Sequence, residues 1–129
     1  DDFMIQGGDF TNRDGTGGHA AEWYGYCDGH AVEESECSLS RYTIPDEAGN
    51  GLLHVPCTIS MAKTSAEHTG GSQFFLIPED STPSHLDGVH TVFGTITSGC
   101  DDVTAINSVS TGANDRPSAE VRLESVVIS

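Results

Sequence analysis

The sequence predicts a mainly β fold with one short helix, arranged as a barrel or a sandwich. Short apolar or β-branched runs at 3–7, 59–62, 74–77, 91–97 and 121–128 are bounded by Gly, Pro or Ser, the pattern of strands ended by turns. Only 101–109 combines helical spacing with an acidic start. A chain of 129 residues suits one compact domain, and no internal repeat divides it.

The first run, Phe3-Met4-Ile5-Gln6-Gly7, ends at a glycine pair that lets the backbone turn sharply. Residues 9–18 have little apolar content and include Gly15, Gly17 and Gly18, with Gly8 just upstream, so they read as a loop. A phosphate-cradling role fails there, because no Lys-Ser/Thr and no helix pattern follow. Residues 19–50 are polar and acidic, with Trp23, Tyr24, Tyr26 and Tyr42. That length exceeds an ordinary connection and predicts a partly ordered excursion, its acidic insertion spanning 19–43, with Ile44-Pro45-Asp46-Glu47 rejoining the body. Strands are expected at 59–62, 74–77 and 91–97. In the helix at 101–109, Asp101 and Asp102 sit at the positive end of the dipole, and Val103, Ile106 and Val109 face the core. Asn114-Asp115-Arg116-Pro117 is a turn, and 121–128 is a terminal strand, alternating at first and apolar at its end.

The net charge is −15 with only five cations, Lys63, Arg13, Arg41, Arg116 and Arg122. A small domain ordinarily carries a charge of magnitude about 2–8. Nucleic acid is therefore not an expected partner, since phosphate neutralisation needs clustered Lys and Arg. Such self-repulsion destabilises the compact state unless salt screens it, and the composition matches proteins of salt-accumulating organisms. No apolar run approaches a membrane span, and no signal peptide is visible, so no membrane partner is expected and a cytoplasmic monomer is. Cys27, Cys37, Cys57 and Cys100 are too widely spaced for a zinc knuckle. Cys57 and Cys100 read as small packing residues. Cys27 and Cys37 read as free thiols in a cytosolic loop, a disulfide or a metal site with His19 and His30 being the alternatives. His19, His54 and His68 read as surface residues.

Three segments share one design: Phe3-Met4-Ile5-Gln6-Gly7-Gly8-Asp9-Phe10, Gly71-Ser72-Gln73-Phe74-Phe75-Leu76 and Leu86-Asp87-Gly88-Val89-His90-Thr91-Val92-Phe93-Gly94. Each sets a Gln or His among apolar residues, and side by side they build an apolar socket with a hydrogen-bonding rim. In this order they resemble the cyclophilins, the peptidyl-prolyl cis-trans isomerases. The resemblance implies a closed eight-stranded antiparallel barrel, of which 1–129 is a single domain making up the C-terminal two-thirds. It implies a groove on the barrel's outside that needs no cofactor or metal and takes proline-containing polypeptides.

By motif, Phe3, Gln6 and His90 correspond to catalytic positions: Phe3 flanks the proline pocket, Gln6 bonds the substrate backbone and His90 lies beside the substrate carbonyl. Met4, Ala62, Lys63, Gln73, Phe75, His85, Leu86 and Phe93 correspond to substrate-binding positions, with Phe75 as the floor and Ala62 on the strand beside the bound main chain. Lys63-Thr64 stands where the family usually has Asn-Ala, and His85 where many members have Trp, so weak cyclosporin binding is expected. A family Phe-His-Arg segment with the principal catalytic arginine would lie upstream of Phe3, where this sequence does not reach; alone it is expected to be nearly inactive.

Taken singly, Phe3, Phe75, Leu86 and Phe93 also suit a core, Gln6 and Gln73 a strand, and His90 a structural bond to a loop. Only their joint order selects a site. The expected function is isomerisation of Xaa-Pro bonds as an aid to folding. The alternative is a non-catalytic peptide-binding or chaperone module on the same fold.

Overall fold

The computed structural model describes residues 3–129. Strands β1 (Ile5–Gly7), β5 (Thr58–Met61), β6 (Phe74–Leu76) and β7 (Val92–Thr95) form an antiparallel sheet in the order β1-β6-β5-β7. Strands β2 (Tyr26–Cys27), β3 (His30–Ala31) and β4 (Tyr42–Thr43) form a second sheet in the order β3-β2-β4. One helix, α1 (Cys100–Asn107), follows β7. This is the expected mainly β architecture with a single helix.

In the larger sheet Gln6, Phe75 and Ser60 are cross-strand partners, and Ser60 continues to Val92. Side chains alternate across a strand, so these residues share one face. Phe75, Ser60 and Val92 are buried, while Ile5, Leu76 and Ile59 occupy the opposite face. The register between β5 and β7 shifts at Ile59/Ser60, a bulge that re-aims β7 where it meets the site. In α1, Cys100 and Val103 are buried, and Asp101 and Asp102 stand in the first turn, where the dipole favours them. The helix ends before Val109, which is 39% exposed and does not reach the core as the spacing predicted.

Residues 19–50 are ordered around the second sheet. The Ala20 N–H donates to the Tyr42 carbonyl, and Trp23 packs edge-on against Tyr42. The Ile44 N–H donates to the Gly70 carbonyl, which returns the chain to the body at the expected place.

Two expectations are corrected. The cysteines are not free: Cys27 bonds Cys37, and Cys57 bonds Cys100. Sequence spacing conceals the second pair because 43 residues separate its members, and the sulfurs meet only when the lead into β5 lies against the start of α1. Both sulfurs of the metal site considered for Cys27 and Cys37 are thereby committed. The terminal strand at 121–128 does not form among the described residues; Val127 is 89% and Ile128 94% exposed. Alternation marks a segment fit to be a strand, but a strand exists only where a neighbour supplies a ladder.

Loop-closure entropy makes the longer crosslink worth more, about 4 kcal/mol for Cys57–Cys100 against about 3 for Cys27–Cys37. Replacing both members of each pair by Ala should lower the free energy of chemical denaturation in that order. Unchanged midpoints under non-reducing conditions would contradict the crosslinks.

Candidate functional site

The ring of Phe75 is 2% exposed and forms the floor of the candidate site. His90 meets it edge-on at 5.5 Å between centroids, and His54 lies parallel to it at 5.7 Å with 8° between planes. The turn Ser84–Leu86 carries His85 and Leu86, and His85 packs edge-on against Phe3 at 5.3 Å. The Ser81 hydroxyl donates to the Phe3 carbonyl, fixing the approach to β1, where Met4 stands half-buried between Phe3 and Ile5.

The rim is polar. Gln6 Nε2 donates to Gln73 Oε1 at 2.7 Å, and Gln73 Nε2 donates to the carbonyls of Gly15 and Gly17. Gln73 is thus oriented by the loop at 9–18. That loop is wound around Asp9, whose carboxylate accepts from the main-chain N–H groups of Thr11, Asn12, Asp14, Gly15 and Gly17. Partial desolvation pulls the Asp9 pKa up, but the amides of Asn12, Gly17, Asp14 and Gly15 outweigh it and hold the group far below the usual carboxylate range. Gly18 takes a φ of +86°, and a Cβ there would lie 2.2 Å from Ser72 Oγ; only glycine fits where this loop closes on the strand.

His90 Nδ1 lies 3.0 Å from the Met61 carbonyl, an acceptor only, so Nδ1 carries the proton. Desolvation pushes the His90 pKa down, with the Met61 carbonyl opposing and Lys63 adding to the fall. At neutral pH the ring is therefore uncharged and offers Nε2 as an acceptor.

Ala62 follows β5, and its N–H donates to the Gln73 carbonyl. The Lys63 side chain turns inward, 3.6 Å from Asp46 and bonded to the Ala66 carbonyl. Phe93 is 52% exposed and lines a separate hollow of about 250 Å³ with Ile44, Met61, Gly70 and Thr91. The structure joins Gln6, Gln73, Phe75 and His90 through strand pairing, a hydrogen bond and a ring contact, and pairs Phe3 with His85, while Phe93 lines the other hollow.

Five side chains escape sequence reasoning. His54, expected at the surface, is 1% exposed. His68 is half-buried, exchanging main-chain and side-chain bonds with Asp46 while its ring tilts against Tyr26 at 4.3 Å; His19 is also half-buried and bonds the Ala20 carbonyl. Asp9 and Asp87 enter the sequence pattern only as members of motifs. An Asp followed by Thr, Asn and Gly is a sign of a side-chain-nucleated turn and could have exposed Asp9. No local signal joins His54 to Asp87, 33 residues away.

The sequence matches the family described as cyclophilin type peptidyl-prolyl cis-trans isomerase/CLD over residues 1–128. It is similar to peptidyl-prolyl cis-trans isomerase D of Mycosarcoma maydis, 43% identical over 121 residues that cover 94% of this chain and 25% of that protein. It is also similar to peptidyl-prolyl cis-trans isomerase B of Saccharomyces cerevisiae, at 37% identity over 94% of this chain and 49% of that protein. The NK-tumor recognition protein of Homo sapiens is 36% identical over 94% of this chain and 7% of its own length. The chain thus spans half or less of these relatives.

Because the Asp9 pKa is lowered, the order it imposes is present above the ordinary carboxylate range and is lost only as pH falls far below it. The Gln73 side-chain amide protons should keep their NMR shifts down to about pH 4, the unperturbed carboxylate range, and move only in stronger acid. Titration of those shifts at about pH 4 would contradict the Asp9 hub.

Proposed function

The chain belongs to the cyclophilin-type peptidyl-prolyl cis-trans isomerase family, and from that premise we propose that its groove grips proline-containing polypeptide segments and that the protein carrying it rotates the Xaa-Pro bond. The observation that carries the reading is the Phe75 ring, buried on the sheet face that also bears Gln6 and edged by an uncharged His90. A pyrrolidine ring fits an apolar floor of this kind, and in this reading Gln6, whose Nε2 is committed to Gln73, accepts from the peptide's main chain through Oε1.

Rotation breaks amide resonance, with a barrier of about 18–20 kcal/mol, and makes or breaks no σ-bond, so the step calls for no cofactor. Reaching about 10 turnovers per second needs roughly a thousandfold, or about 4 kcal/mol. Holding the proline ring while the preceding carbonyl swings supplies part of this. A donor or cation at the twisted nitrogen supplies more. Arg41 is paired with Asp28, Arg122 with Glu120, and Lys63 lies against Asp46. In this reading the family's upstream arginine is the group that separates an isomerase from a peptide-binding module.

The setting is also a proposal. Two disulfides weigh against the reducing cytosol expected from the sequence and favour an oxidising compartment. The charge of −15 favours high salt, which screens self-repulsion, and a monomer, which like-charged copies favour. No helix among the described residues is long and apolar enough to cross a membrane.

The test is NMR exchange spectroscopy of an Xaa-Pro peptide with the full-length protein. Acceleration is expected, reduced at least about tenfold by Phe75→Ala, the loss of a buried aromatic contact. It should be steady above the ordinary histidine range and fall in acid, where protonation charges His90 and destabilises the folded groove. Peptide binding without acceleration would leave only the binding module, and neither binding nor acceleration by a folded sample would contradict the proposal.

A further inference from the structure

His54 is the most enclosed ionisable side chain among the described residues, and nothing in the isomerisation chemistry uses it. Its imidazole joins three parts of the groove. Asp87 Oδ1 accepts from the His54 main-chain N–H at 2.7 Å and lies 2.8 Å from Nδ1. Nε2 lies 2.9 Å from Ser60 Oγ, and the ring plane is stacked on Phe75. An ionised carboxylate accepts only, so Nδ1 carries a proton, and in the neutral ring Nε2 accepts from the Ser60 hydroxyl. These His54 bonds, main-chain then side-chain, hold the Asp87 pKa below the usual carboxylate range.

An Asp-His-Ser chain with these distances has the form of a nucleophile relay. Ser60 Oγ cannot serve as one, since Ser60 is 0% exposed and no substrate carbonyl can reach it. The chain connects structure instead. Asp87 lies between Leu86 and His90, whose N–H donates to the Leu86 carbonyl. Ser60 sits on β5 directly opposite Phe75 in register. One ring therefore ties the wall loop to the sheet and backs the floor.

We propose that His54 is a positioning residue that sets the spacing between the Leu86–His90 wall and the Phe75 floor, and so the fit of the proline ring. The inference rests on the groove being the proline site, but its first readout does not. A fully satisfied buried network specifies one arrangement of its neighbours, whereas an ordinary core histidine would affect stability alone.

The experiment compares wild type with His54→Asn, Ser60→Ala and Asp87→Asn in the full chain. The Phe75 ring and Leu86 methyl resonances are followed first without ligand, then during titration with an Xaa-Pro peptide. His54→Asn keeps a donor toward Asp87 but loses the stack and the Ser60 bond. It should shift both sets of resonances and weaken peptide binding about tenfold, the scale of one lost hydrogen bond. Ser60→Ala, which keeps His54 and Asp87 joined, should do less of both. If His54→Asn fails to fold, Asp87→Asn decides, by moving the Leu86 and His90 resonances. Folded variants with unchanged Phe75 and Leu86 resonances and wild-type affinity would overturn the proposal. Wild type that binds no peptide would remove the proline-site reading while the unliganded resonances still decide whether His54 positions the groove.

Discussion

The register of β6 between β1 and β5 is the constraint on which the rest of the site depends. Gln6, Phe75 and Ser60 are direct cross-strand partners, so the rim amide, the floor and the serine behind it share one face. Side chains alternate with a period of two, and a slip of β6 by one residue would present Phe74 or Leu76 in place of Phe75. The short strands make few ladder bonds with which to hold that register. Packing of Phe75 and Val92 and the hydrogen bonds of Ser60 oppose a slip, because each would lose its burial or partner.

Support reaches this register from two sides by the same means, an ionised carboxylate satisfied by N–H donors. Asp9 gathers the amides of its loop and delivers the Gly15 and Gly17 carbonyls to Gln73. Asp87 takes the main-chain and ring donors of His54 and delivers the imidazole to Ser60 and Phe75. In a chain of net charge −15 these two carboxylates build structure. The crosslink from Cys57 to Cys100 then ties the lead into β5 to α1, so the central strand is held at its entry as well as along its edges.

The fold class, the helix and the strands flanking the floor were legible because alternation, flanking glycines and an acidic helix start are local signals. The residues around Phe75 were legible as motifs in a fixed order. Phe93 belongs to the same motif as His90, yet the bulge opposite Ile59/Ser60 carries it to another hollow, which no linear pattern records. His54 and the cysteine pairs were illegible for a related reason. Their partners are distant in the chain, and an isolated His beside Leu and Val carries no mark of burial. The segment 121–128 has the pattern of a strand, but no neighbour among the described residues supplies its ladder.

If the groove is the proline site, a bound proline ring lies on Phe75 between Gln6 and His90. The most direct measurement is the set of intermolecular nuclear Overhauser contacts between the proline ring protons of a bound Xaa-Pro peptide and the protein. Contacts to the Phe75 ring, the His90 ring and the Leu86 methyls are predicted. Contacts instead to Phe93 and Ile44, in the separate hollow, would contradict it.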